Sequence, residues 1–235
     1  MVIMSSISLE AAKFIKANKK QIIQKFAGDH ICESDANPIS IFMAGSPGAG
    51  KTEFSKWLLK YAKIKAVRID PDEIKECIPQ YTGKNSNEVQ GASALAVEYL
   101  YDYVLKKKKN MLLDGTFSDY KKSYSNVKRS VDKNRHIDIY YLYQDPLIAW
   151  KFTKIRGEKE GRFIPKDFFV ESFFNAINNV DKVKKEFGKN VTLHLVIKDY
   201  ENGFENKFRL DIVAVDGFIE NKYTKVSLKK ALWTV

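Results

Sequence analysis

The sequence predicts an α/β fold: a five-stranded, mainly parallel sheet with helices on both faces and a small C-terminal strand or hairpin extension. Three observations predict it. Short apolar runs alternate with helix-length segments from residue 39 to residue 199, and parallel strands need crossovers of that length. The first run passes straight into "GSPGAGKT", residues 45–52. The second and third runs end in carboxylates, at the position where such sheets bind ligands.

Residues 8–27 read as a helix, with Ser8 to cap it, Leu9, Ile15, Ile22, Ile23 and Phe26 at helical spacing, and Gly28 to end it. Residues 29–38 form a polar connector closing on Pro38. Strands are expected at 39–44, 64–70, 110–115, 136–143 and 191–199. Helices are expected at 50–61, 86–107, 119–133, 146–156 and 165–187, with further strand-like material at 208–218. No repeat or Pro/Ser-rich linker divides the chain. The expected organisation is therefore one domain over 1–235: an N-terminal helix and connector (1–37), a core (38–200) and a C-terminal extension (201–235).

The chain has 235 residues, 44% of them apolar, enough for a sizeable core. Its 40 basic and 29 acidic residues leave a net charge of +11. That excess suits a polyanionic partner such as nucleic acid or a phosphorylated metabolite, and equally a lysine-rich solvated surface. Cys32 and Cys77 have no metal or redox spacing, which points to a reduced, cytoplasmic setting. His30, His136 and His194 lie one per region, which argues against zinc. No apolar run reaches membrane-spanning length, and residues 1–4 are too short for a signal-peptide core.

Gly45, Ser46, Pro47, Gly48, Ala49, Gly50, Lys51 and Thr52 fit G-x-x-x-x-G-K-[ST] at every fixed position. Glycines let the backbone turn its N–H groups onto a phosphate, and the following helix adds its N-terminal donors. Lys51 is placed to reach β- and γ-phosphates and Thr52 to offer its hydroxyl to Mg²⁺, so ATP and Mg²⁺ are the expected cofactors. "RIDPDEI" ends the second strand with Asp70 and Asp72; "LLDGT" ends the third with Asp114 and Thr116. Asp114 is the expected holder of the metal, with Asp70 able to share it, and Asp72 is the candidate base for an acceptor hydroxyl. Either Asp70 or Asp72 can instead cap a short helix starting near Pro71. Arg156 and Arg162 flank a glycine-bracketed loop between two helices, as phosphate-clamping lid arginines do; in a chain this basic they also read as solvated side chains.

Together these motifs resemble the zeta toxin family, the kinase half of epsilon/zeta-type toxin–antitoxin pairs, over about residues 10–200. The resemblance implies a P-loop kinase fold and transfer of the ATP γ-phosphoryl to the 3′-hydroxyl of UDP-N-acetylglucosamine. It implies Lys51 and Thr52 at the triphosphate, Asp72 as catalytic base, and Arg156 and Arg162 as clamps. Glu98, sixteen residues before Asp114, falls on the family's substrate-side acid, and Asp114 and Thr116 on its sugar-nucleotide pocket. An antitoxin protein is the implied partner. The chain departs from the family in carrying Asp114 where Glu is usual, Ser118 where a basic residue is usual, and a shorter loop between the arginines. A polynucleotide or tRNA kinase and a non-catalytic nucleotide switch are the alternatives; no guanine-reading N-K-x-D occurs.

Overall fold

The computed structural model describes residues 5–199, 205–220 and 222–233. Apolar alternation builds the first strand, β1 (Ile39–Ala44). Ile41 and Met43 face one side of the sheet, where they pack with Phe54 and Leu58. Phe42 and Ala44 face the other, where they join the larger core. Around β1 lie β2 (Val67–Ile69), β3 (Met111–Leu113), β4 (His136–Tyr143), β5 (Thr192–Asp199) and β6 (Glu205–Arg209), in the order β2-β3-β1-β4-β5-β6. The first five are parallel and β6 runs antiparallel to β5. Among the described residues the sheet thus has six strands, five parallel plus one from the extension.

Strand order reverses at β1, because the chain leaves it for β3 and β2 on one side and returns to β4 and β5 on the other. That reversal opens the crevice where α/β sheets bind ligands. The smaller face is covered by α3 (Lys51–Tyr61). On the larger face lie α1 (Ser6–Ala17), α2 (Lys19–Ala27), α5 (Ser86–Lys106), α6 (Tyr120–Val131) and α8 (Lys166–Phe187). The short α4 (Pro71–Lys75) and the longer α7 (Pro146–Glu160) follow β2 and β4.

Four expectations are corrected. The N-terminal helix is two helices, broken at Asn18, whose side-chain amide donates to the Phe14 carbonyl at 2.9 Å. Its cap is Ser5, and Ser8 instead donates to the Glu88 carbonyl, tying α1 to α5. Residues 210–218 are not a strand, because Asp181 captures the N–H groups of Val215 and Asp216 at 2.6 and 3.0 Å. Ile212, Val215 and Ile219 are buried there as loop residues. An unforeseen α9 (Lys225–Ala231) follows, closed by a reciprocal cap between Thr224 and Ser227.

Candidate active site

The phosphate loop leaves β1 through Gly45, whose φ of 133° and position against the Leu142 carbonyl exclude a side chain: a Cβ would lie 2.4 Å from that oxygen. Gly48 is more constrained, with φ 73° and the Ala149 carbonyl 2.1 Å from any Cβ. These contacts press the loop onto β4 and α7. Lys51 opens α3 and turns its ammonium back to the Ser46 carbonyl at 2.7 Å. Burial pushes its pKa down to about 8; Asp114 and Asp72 oppose the fall and Arg156 adds to it. Lys51, Asp72, Asp114 and Arg156 thus share one electrostatic neighbourhood.

Asp70 caps α4, its Oδ1 accepting the Asp72 N–H at 2.8 Å. Its other oxygen meets Arg68 Nη2 at 2.5 Å, and the same nitrogen meets Asp114 Oδ2 at 2.7 Å. Arg68 also binds Glu73 at 2.6 Å and Ser55 at 3.1 Å. Sequence reading missed this arginine, although the signal was there. Val67 and Ile69 turn into the larger core, so strand alternation sends Arg68 to the same face as Asp70. Burial and the neighbouring Asp114 raise the pKa of Asp70 despite Arg68.

Asp72, freed from capping, sits among cations. Arg162 Nη1 is 2.8 Å from its Oδ1, while Arg156 Nη2 and Lys75 Nζ are each 3.4 Å from its oxygens. Burial alone would raise its pKa, but Arg162, Lys75 and Arg156 together lower it. Glu160 bridges the two arginines at 2.9 and 3.1 Å. The expected glycine-bracketed loop is corrected here. Gly157 is helical and buried, with the Phe163 ring 2.8 Å from any Cβ, so α7 runs on to Glu160 and only Gly161 ends it. Arg156 is therefore held by a helix.

Lys75, also missed, is buried and donates to Ser86 Oγ at 2.9 Å. Lys198, at the end of β5, lies over Gly50, its Nζ 2.4 Å from where a Cβ would stand. Thr116 Oγ1 pairs with Ser118 Oγ at 2.7 Å, and its carbonyl accepts the Gly45 N–H, linking the third strand's exit to the phosphate loop. Glu98 is not drawn into the Asp72 cluster: its carboxylate meets Arg129 of α6 at 2.9 Å. Among the described residues no three His, Cys, Asp or Glu side chains are grouped to hold a metal. Thr52 and Asp114 are brought together by Ser55, whose Oγ lies 2.9 Å from the Thr52 carbonyl and 3.3 Å from Asp114 Oδ2. Such a pair fits Mg²⁺, which takes few protein ligands and completes its shell with phosphate oxygens and water.

A parallel sheet with a glycine-rich phosphate loop at its switch point, a lysine and threonine opening the next helix and two arginines across the crevice define a P-loop nucleotide-binding protein of kinase type. The zeta toxin profile matches residues 24–207, most of the chain. The protein belongs to the zeta toxin family. Among solved structures it is similar to one from the PezAT chromosomal toxin–antitoxin system of the human pathogen Streptococcus pneumoniae. The TM-score is 0.68 at 19% identity, over 97% of this chain and 95% of that one. The AvrRxo1-ORF1:ORF2 complex with ATP is also similar, with TM-score 0.61 at 14% identity, over 85% of this chain and 65% of that one. No curated protein matches.

Proposed function

We propose that the protein is an ATP-dependent kinase that transfers the γ-phosphoryl group to a hydroxyl of a nucleotide sugar, with UDP-N-acetylglucosamine the leading acceptor, and thereby arrests growth. The observation that carries this reading is the convergence on Asp72 of Arg156 and Arg162 beside the phosphate loop. On this reading Asp72 is the base and Arg156 and Arg162 are the phosphate clamps, side chains that pair with one another in the ligand-free protein. Bound ATP offers the arginines stronger partners in the γ-phosphate oxygens. Their transfer to it leaves Asp72 free to accept the acceptor's proton. The acceptor oxygen then bonds to the γ-phosphorus, the bond to the β-phosphate oxygen breaks, and ADP leaves. Thr52 and Asp114 would hold Mg²⁺, which would supply positive charge to the phosphate oxygens. Thr116, whose carbonyl meets the phosphate loop, is assigned to the acceptor side; Asp70, held by Arg68 and the α4 cap, and Glu98, held by Arg129, are given no contact with the acceptor.

Family membership supports an antitoxin protein as partner. No helix among the described residues is long and apolar enough to cross a membrane, and we assign a cytoplasmic setting. The test of the acceptor is mass spectrometry of a metabolite extract, and of UDP-N-acetylglucosamine alone, incubated with protein and ATP. One species heavier by one phosphate is expected; transfer to RNA with none to small molecules would overturn the assignment. That second reading, a polynucleotide kinase, is favoured by the charge of +11 and by the exposed stacked pair Trp57 and Tyr61, with ring centroids 4.9 Å apart.

Two further outcomes are expected of the nucleotide site. Lys51→Ala removes stabilisation by ATP and phosphoryl transfer together, read as loss of the ATP-dependent rise in Tm and of product. The second is a pH dependence. Lys51 falls from its ordinary 10.5 to about 8 in the ligand-free protein, and a bound triphosphate raises it again. Binding therefore takes up a proton above pH 8, so affinity weakens with rising pH by at most about tenfold per unit. The same group acts oppositely on the free protein: between 8 and 10.5 the unfolded chain binds the proton better, so stability gains from raising the pH. Calorimetric Kd values for a non-hydrolysable ATP analogue at pH 7, 8 and 9 check this, and a flat series contradicts it.

A further inference from the structure

Arg135 stands just before β4, at the end of the sheet opposite the phosphate loop. The six residues of β1 separate the two ends, about 20 Å at strand rise. Arg135 is 5% exposed. Its Nε donates to Ser40 Oγ, and its Nη2 to the carbonyls of Ile39 and Lys109, each at 2.6 Å. All three acceptors are neutral. No carboxylate pairs with this guanidinium among the described residues, and burial without a counter-ion lowers its pKa to about 10. Holding two carbonyls and a hydroxyl needs donors but no charge. A buried, unpaired cation is a costly way to do it.

The remaining edge of the guanidinium has an outlet. Nη1 makes no hydrogen bond among the described residues, and Arg135 lines a cleft of about 300 Å³ with Val131, Asn134, His136, Lys189 and Asn190. Asn134, Asn190, Lys189 and His136 thus line the same cleft as the arginine. The carboxylate that His136 meets at 3.2 Å, Asp138, is shared with His194 at the same distance. Positive charge therefore prevails in the cleft. Its size is at the lower end for a ligand pocket, and a guanidinium edge matches the oxygen spacing of a phosphate.

We propose that this cleft is a binding site for a small phosphate-bearing anion, held by Arg135 Nη1, Lys189 and His136 and separate from the phosphate loop. The proposal does not depend on the kinase reading. Inorganic phosphate is the probe, titrated at constant ionic strength against the full-length Lys51→Ala chain, whose phosphate loop is disabled. A saturable rise in Tm is expected, with apparent affinity at least fivefold weaker once His136→Gln and Lys189→Gln are added. Both substitutions are on exposed side chains, which avoids disturbing the grip of Arg135 on β1. If Lys51→Ala does not fold, the same comparison is made with the phosphate loop of the unsubstituted chain saturated with ADP and Mg²⁺. Absence of a saturable response, or an equal response with and without the double substitution, overturns the proposal.

Discussion

Asp72→Asn is expected to abolish phosphoryl transfer while leaving ATP binding in place. The substitution removes the one carboxylate positioned between Arg156, Arg162 and Lys75 and keeps its shape. General-base catalysis contributes about 10²- to 10⁴-fold, so transfer falls by at least that lower figure. Stability should fall less than for a fully buried pair, because Asp72 is 36% exposed, although its partners Arg162 and Lys75 are only 13% and 6% exposed. Loss of the carboxylate also removes one of the two acids that hold the arginines at rest, Glu160 being the other, so ATP affinity is expected to stay the same or tighten. Single-turnover transfer and calorimetric ATP binding, measured on one preparation, separate the two effects. Intact transfer would hand the base role to Asp70, the adjacent carboxylate that the structure occupies with Arg68 and the α4 cap.

Arg68→Met is expected to have the largest effect on stability. Asp70 and Asp114 are 6% exposed each, and Arg68 lies between them within 2.5 and 2.7 Å. Without it, two buried carboxylates face each other without their shared ion-pair partner. Removing one partner of a buried ionic group costs about 3–5 kcal/mol, a large share of a domain's total stability. The effect has a pH signature. In the native chain the pKa of Asp70 is already raised, chiefly by burial and by Asp114; in the variant it rises further. A carboxyl raised in the folded state stabilises below its unfolded value of about 3.9 and loses that contribution as pH climbs through the folded value. The deficit of Arg68→Met relative to the parent should therefore be smaller at pH 5 than at pH 8. Urea unfolding at both pH values checks this, and equal deficits would assign the loss to packing alone.

Much of the molecule was legible from residue order. The apolar runs located β1, β4 and β5 because each repeats a simple alternation between two buried faces. The phosphate loop was legible because its glycines answer a local demand: at Gly45 and Gly48 the backbone has positive φ and touches neighbouring carbonyls. Element ends were less so. The pattern at residues 8–27 continues through Asn18, where the chain breaks to form two helices. Residues 210–218 alternate like a strand, yet Asp181 claims the N–H groups of Val215 and Asp216.

Local spacing determined which residues belong to the nucleotide-binding loop and which carboxylates end the neighbouring strands, because those features lie within a few residues of one another. It left open which of Asp70 and Asp72 caps the helix. Tertiary structure decided that, by placing Arg68 and Asp114 beside Asp70 and two arginines from α7 and its exit beside Asp72. These partners lie up to ninety residues away in sequence. The field at a carboxylate is set by distance in space, and no reading of spacing along the chain contains it.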